Sequence, residues 1–92
     1  MSQLMISNKD IHDYCLERDL SVLTADGFEG AILGISDCIA HGYDPRVVYS
    51  IERCIDILVK DGMSHEEAIE YFYYNCNSAF VEGAPVFIHT EF

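Results

Sequence analysis

The chain reads as a single α+β domain over residues 1–92, with a short, mostly antiparallel sheet of about three strands packed against an αα-hairpin and an N-terminal helix. Three observations predict this class. Half of the residues are hydrophobic, enough for one core. Helical periodicity with matched stop and start signals recurs on either side of Gly62. Short β-branched and aromatic runs, bounded by Gly and Pro, lie outside that helical stretch. An all-helical fold with extended loops is the alternative, because short apolar runs fit either period.

Taken in order, Ser7 or Asn8 caps a first helix running to about Leu20, with Asp10 and Asp13 in its early turns, where the helix dipole favours negative charge. Ile11, Cys15 and Tyr14 form its apolar side; Asp10, Asp13 and Glu17 form the other. Ala25-Asp26-Gly27 is a turn, and Ala31–Ile35 is a strand in which Gly34 predicts a bulge or a close backbone approach. His41–Pro45 is a loop, since the residue before proline avoids helical geometry. Val47-Val48-Tyr49 is a second strand.

Ser50 then caps a helix whose buried face is Ile51, Cys54, Ile55, Leu58 and Val59. Gly62 takes the left-handed position that ends this helix. Ser64 and Glu67 form a capping box for the next one, with Met63 and Ala68 stapled across it. Two helices therefore meet in a short hairpin. The second buries Ala68, Ile69, Phe72 and Cys76 and frays near Asn75 to Ser78. After the Gly83-Ala84-Pro85 turn, Val86-Phe87-Ile88 forms the last strand.

Charge narrows the function classes. Sixteen Asp and Glu face five Lys and Arg, a net charge of -11, and no Lys or Arg follows Lys60. Neutralising phosphates needs Lys and Arg, so direct binding to nucleic acid or to an anionic membrane is not expected. A partner with a basic surface is the charge-compatible one. The same charge also keeps a small protein soluble. The N-terminus lacks the basic start and apolar run of a secretory signal, and no run approaches the ~18 apolar residues of a membrane span. A cytoplasmic location is expected, with Cys15, Cys38, Cys54 and Cys76 as reduced thiols. A homo-oligomer is also in keeping with so small a core.

Several constellations could carry chemistry. His12 with Cys15 and Cys38 with His41 supply the two His and two Cys of a structural zinc site, but neither half has a zinc-finger spacing, so no metal or other cofactor is expected. Asp26, Glu29, Asp37 and Asp44 cluster around His41 without the spacing of a calcium-binding loop. Ser36-Asp37-Cys38 lacks the glycine-flanked serine of a hydrolase, and activation of Cys38 by His41 has no local support. The glycines at 27, 30 and 34 do not form a phosphate-cradling motif. Read as a DNA-binding helix-turn-helix, the hairpin would turn Glu66, Glu67 and Glu70 toward phosphates. No catalytic residue emerges, and an enzyme is not expected.

Tyr71-Phe72-Tyr73-Tyr74 points in every direction around one helix, so a single face cannot bury all four. Two of the three tyrosines are expected against the sheet, leaving the remainder for a partner or a homodimer seam. Tyr71, Tyr73 and Tyr74, with the acids Asp26, Glu29, Asp37, Asp44, Glu66, Glu67 and Glu70, are the candidate interaction residues.

The stretch VVYSIERCIDILVKDGMSHEEAIEYFYYN, followed by APVFI, resembles a family of small proteins predicted in tailed-bacteriophage genomes, over about Asp26 to Ile88. Its most specific piece is the DGMSHEEAIEYF junction. The resemblance implies a shared fold and a phage origin, and it carries over no catalytic residue. The resulting expectation is an acidic phage accessory protein that binds a host protein and inhibits a basic nucleic-acid-handling enzyme by charge mimicry. A homo-oligomeric structural or small-ligand-binding protein and a small metal-binding domain are the alternatives.

Overall fold

The computed structural model describes residues 5–36, 45–75 and 83–92. In chain order these form α1 (Asn8–Arg18), a 3₁₀ turn (Glu29–Ala31), β1 (Ile32–Ser36), β2 (Arg46–Ser50), α2 (Ile51–Lys60), α3 (His65–Asn75) and β3 (Val86–Ile88). The α+β class and the helical hairpin are as the sequence predicts.

Local chemistry accounts for each helix boundary. Ser7 caps α1 in a reciprocal box: its Oγ accepts from the Asp10 amide at 3.1 Å, and the Asp10 carboxylate accepts from the Ser7 amide at 2.8 Å. The helix stops at Arg18, short of Leu20, because Asp19 turns left-handed at φ 54°. The Leu20 amide then folds back onto the Cys15 carbonyl at 2.9 Å. Aspartate tolerates this conformation better than most residues, which is why a helix end without glycine is hard to see in sequence.

The α2–α3 junction follows its sequence signals closely. Gly62 has φ 114°, where L side chains are strained. Its amide bonds Val59 O at 3.0 Å, and the Met63 amide bonds Leu58 O at 3.2 Å. Ser64 Oγ accepts from the Glu67 amide at 3.1 Å, and Glu67 Oε1 accepts from the Ser64 amide at 2.9 Å. Met63 and Ala68 both join the core. Val59, expected on the buried face of α2, lies at its exposed edge instead.

The sheet has β2 at its centre, in the order β1-β2-β3. β1 pairs antiparallel to β2, with the register breaking between Ile32 and Gly34, so the bulge expected at the glycine is present. β3 lies parallel to β2, pairing Val48 with Val86 and Ser50 with Ile88. Parallel neighbours need a long crossover, and the helical hairpin lies between them in the chain. The core joins Val47 and Tyr49 of β2 and Ile32 of β1 to Cys54, Ile55 and Leu58 of α2, Ala68 and Phe72 of α3, and Ile11 and Cys15 of α1. Cys15 and Cys54 are buried and not disulfide-bonded. Among the described residues, no helix is long and apolar enough to cross a membrane.

Candidate functional site: an acid-rimmed aromatic cleft

A cleft of about 460 Å³ opens between the loop Thr24–Phe28, the last turns of α2, the face of α3 at Tyr71 and Asn75, and the start of β3 at Pro85 and Phe87. Its size lies within the range of roughly 300–1,000 Å³ that ligand pockets occupy. The loop wall is held from two sides. Gly27 has φ 86°, and the Phe28 amide closes a four-residue turn onto the Ala25 carbonyl at 3.3 Å. From within the core, the hydroxyl of Tyr49 accepts from the Ala25 amide at 2.8 Å. Burial pushes the Tyr49 phenol up from its ordinary pKa, so it stays neutral in the physiological range.

The aromatic walls belong to one packed set. Phe72 meets Phe28 edge-on at 6.3 Å and Phe87 edge-on at 5.1 Å, while Phe87 stacks on Tyr49 at 5.3 Å. The entry to β3 is tied down by the Leu23 amide on the Gly83 carbonyl at 3.0 Å and by Arg46 Nη1 on the Ala84 carbonyl at 3.1 Å. Two carboxylates stand at the rim: Asp26 on the exposed turn and Asp61 at the C-cap of α2. The negative end of the α2 dipole lies on the same side as Asp61.

The cleft continues onto α3. Glu67, Glu70, Tyr71 and Tyr74 follow the i, i+3, i+4, i+7 spacing of one helix face and line a shallow groove of about 390 Å³, which shares Tyr71 and Asn75 with the cleft. Phe72 is fully buried, whereas Tyr71, Tyr73 and Tyr74 are 44%, 39% and 85% exposed. The expectation that two of these tyrosines pack against the sheet is therefore overturned. The buried stripe of α3 is narrow, with only Ala68 and Phe72 inside, and a rotation of ~100° per residue carries the tyrosines off it.

The predicted interaction residues thus divide. Asp26 and Tyr71 meet in the cleft; Glu67, Glu70 and Tyr74 extend it; Glu66 and Tyr73 lie on the adjoining flank of α3. Glu29 sits elsewhere, where its carboxylate accepts from the Asn8 amide at the start of α1. Asp37 and Asp44 lie outside the described residues, as do Cys38, His41 and Cys76. Of the metal-ligand candidates, His12 is exposed and Cys15 buried on α1, and among the described residues no group of three His, Cys, Asp or Glu is placed to hold a metal.

A second polar cluster joins segments far apart in the chain. Ser50, fully buried at the β2–α2 junction, accepts from the Arg53 amide at 3.2 Å and lies 2.7 Å from Thr90 Oγ1. The Glu52 carboxylate accepts from the Thr90 amide and from His89 Nδ1, each at 2.7 Å. These two bonds, the amide first, hold its pKa at about 2, below its ordinary 4.5. Ser50 was legible as a cap, but nothing local in sequence marks Glu52 or His89. A carboxyl whose folded pKa is depressed contributes stability that is complete above its unfolded value, so this share is lost as pH falls from about 4.5 to about 2. Glu52→Gln is expected to flatten the fall in stability across that window, as measured by urea denaturation at a series of pH values. Curves that stay parallel to the wild type would show that the contact contributes nothing.

No protein-family model, curated protein or solved structure matches the chain.

Proposed function

We propose that the chain is a small acidic phage accessory protein that binds a basic host protein, occupying a surface that would otherwise meet nucleic acid. The observation that supports this reading is the continuity of the cleft with the α3 face, which together present Asp26, Asp61, Glu67, Glu70, Tyr71 and Tyr74. All five lysines and arginines lie among the described residues, and none lines the cleft or the groove. Carboxylates steer a basic partner over distance, and tyrosines supply contact area with little loss of side-chain freedom.

Binding of this kind weakens with salt and depends on α3. Capture from bacterial lysate with wild-type and Glu70→Lys/Tyr74→Ala baits tests both, at ~0.1 M and ~1 M salt, where the Debye length falls from ~10 to ~3 Å. Basic nucleic-acid-handling proteins are expected on the wild-type bait at low salt, and roughly tenfold less on the variant. Equal retention by both baits would rule out this surface. Recovery of the bait alone, with concentration-dependent light scattering, would favour self-association through the exposed tyrosines.

A further inference from the structure

We propose that the cleft receives an arginine side chain of the partner, as the anchor of the interface. This rests on the reading of the chain as a binder of a basic protein. The cleft is mixed in character: Phe28, Ile57, Leu58 and Phe87 give it apolar wall, Thr24, Asp26, Asp61 and Asn75 give it polar wall, and Tyr71 is half-exposed beside them. The apolar wall alone would admit many side chains. Charge selects among them.

Asp26 and Asp61 reach the rim from different elements, and the C-terminal end of α2 adds its partial negative charge beside Asp61. Asn75 donates its amide N–H to the Tyr71 carbonyl at 3.0 Å, which leaves its side-chain oxygen as a further acceptor. A neutral side chain would leave these groups unmatched, and an acidic one would be repelled.

Between the two basic side chains, the walls favour arginine. A guanidinium is planar, stacks on aromatic faces and presents five N–H donors to acceptors on separate sides, whereas an ammonium is a strongly hydrated point charge. A long side chain with an apolar stem and a charged head also matches a lining that combines Phe28, Ile57, Leu58 and Phe87 with Asp26 and Asp61. The occupant belongs to a polypeptide because the cleft is open toward the α3 groove through Tyr71 and Asn75. Flanking residues of a bound segment would then run over Glu67, Glu70 and Tyr74.

The test uses amide NMR shifts of the full chain during titration with capped glycine-arginine-glycine, and with the citrulline and lysine versions of the same peptide. Citrulline keeps the shape and removes the charge; lysine keeps the charge and removes the plane. The arginine peptide is expected to shift the amides of Asp26, Gly27, Phe28, Asp61 and Tyr71, with the lysine peptide several-fold weaker and the citrulline peptide weaker by about tenfold or more. Asp26→Asn and Asp61→Asn are exposed substitutions, each expected to weaken the arginine peptide about three- to tenfold with unchanged thermal stability.

Equal binding of arginine and citrulline, or shifts confined to other surfaces, would overturn the proposal. So would a lysine peptide that binds as well as arginine. If Asp26→Asn/Asp61→Asn still captures a basic protein that Glu70→Lys/Tyr74→Ala has lost, the arginine anchor fails while the basic-partner reading stands. If the peptide occupies the cleft but no basic protein is retained on any bait, the basic-partner reading fails instead.

Discussion

Phe72→Ala is expected to cost ~3–5 kcal/mol, the range for truncating a fully buried aromatic, and to lower Tm by more than about 12 °C. The loss is large because Phe72 meets rings from three directions: Phe28 of the loop wall, Phe87 of β3 and its neighbour Tyr73. Removing it opens a void where the helical hairpin, the loop and the parallel strand meet. A domain of this length holds roughly 5–14 kcal/mol in total, so the variant would retain little margin. Tyr74→Ala, two positions on and 85% exposed, should stay within ~0.5 kcal/mol of the wild type. Urea denaturation of the pair separates the two roles of α3. Comparable losses for both would contradict the division of this helix into a buried and a presented face.

That division marks the limit of what the sequence shows. Capping is local, so Ser50, Gly62, Ser64 and Glu67 could be read within a few residues of one another, and the hairpin followed from them. Four consecutive aromatics could be seen to exceed one face, but their allotment depended on how wide a stripe the sheet and α2 would cover. β3 was legible as a strand from its composition, while its parallel direction was not, because three apolar residues carry no sign of orientation. The helix stop at Asp19 lacked the glycine that would have announced it.

The same reasoning explains the partial view of the site. Asp26 and Tyr71 stood out singly, one as a turn acid and the other as a surplus aromatic, and both reach the cleft. In the sequence Asp61 is one acid among sixteen, and Phe87 is only a strand residue. Their convergence depends on β2 carrying Tyr49 beneath the loop and on the crossover returning β3 to its side. The clasp of Glu52 with His89 and Thr90 likewise arises from chain segments joined only by the fold.

Tyr49→Phe tests that dependence with a single oxygen atom. The ring is fully buried and stacked on Phe87, so phenylalanine fills the same space and leaves no cavity. What disappears is the acceptor for the Ala25 amide at 2.8 Å, a hydrogen bond by which the centre of the sheet holds the loop wall. An amide left without its partner in a half-buried position costs about 1–2 kcal/mol. Hydrogen exchange at Ala25 is expected to accelerate while the α2–α3 junction keeps its protection. Because Asp26 and Phe28 ride on the same turn, the arginine peptide should bind several-fold more weakly although no cleft side chain has changed. A variant with wild-type stability, unaltered exchange at Ala25 and unaltered peptide binding would show that the loop holds its position without Tyr49. A loss confined to Ala25 exchange and peptide binding, beside an intact hairpin, would show that the cleft is set from β2 outward.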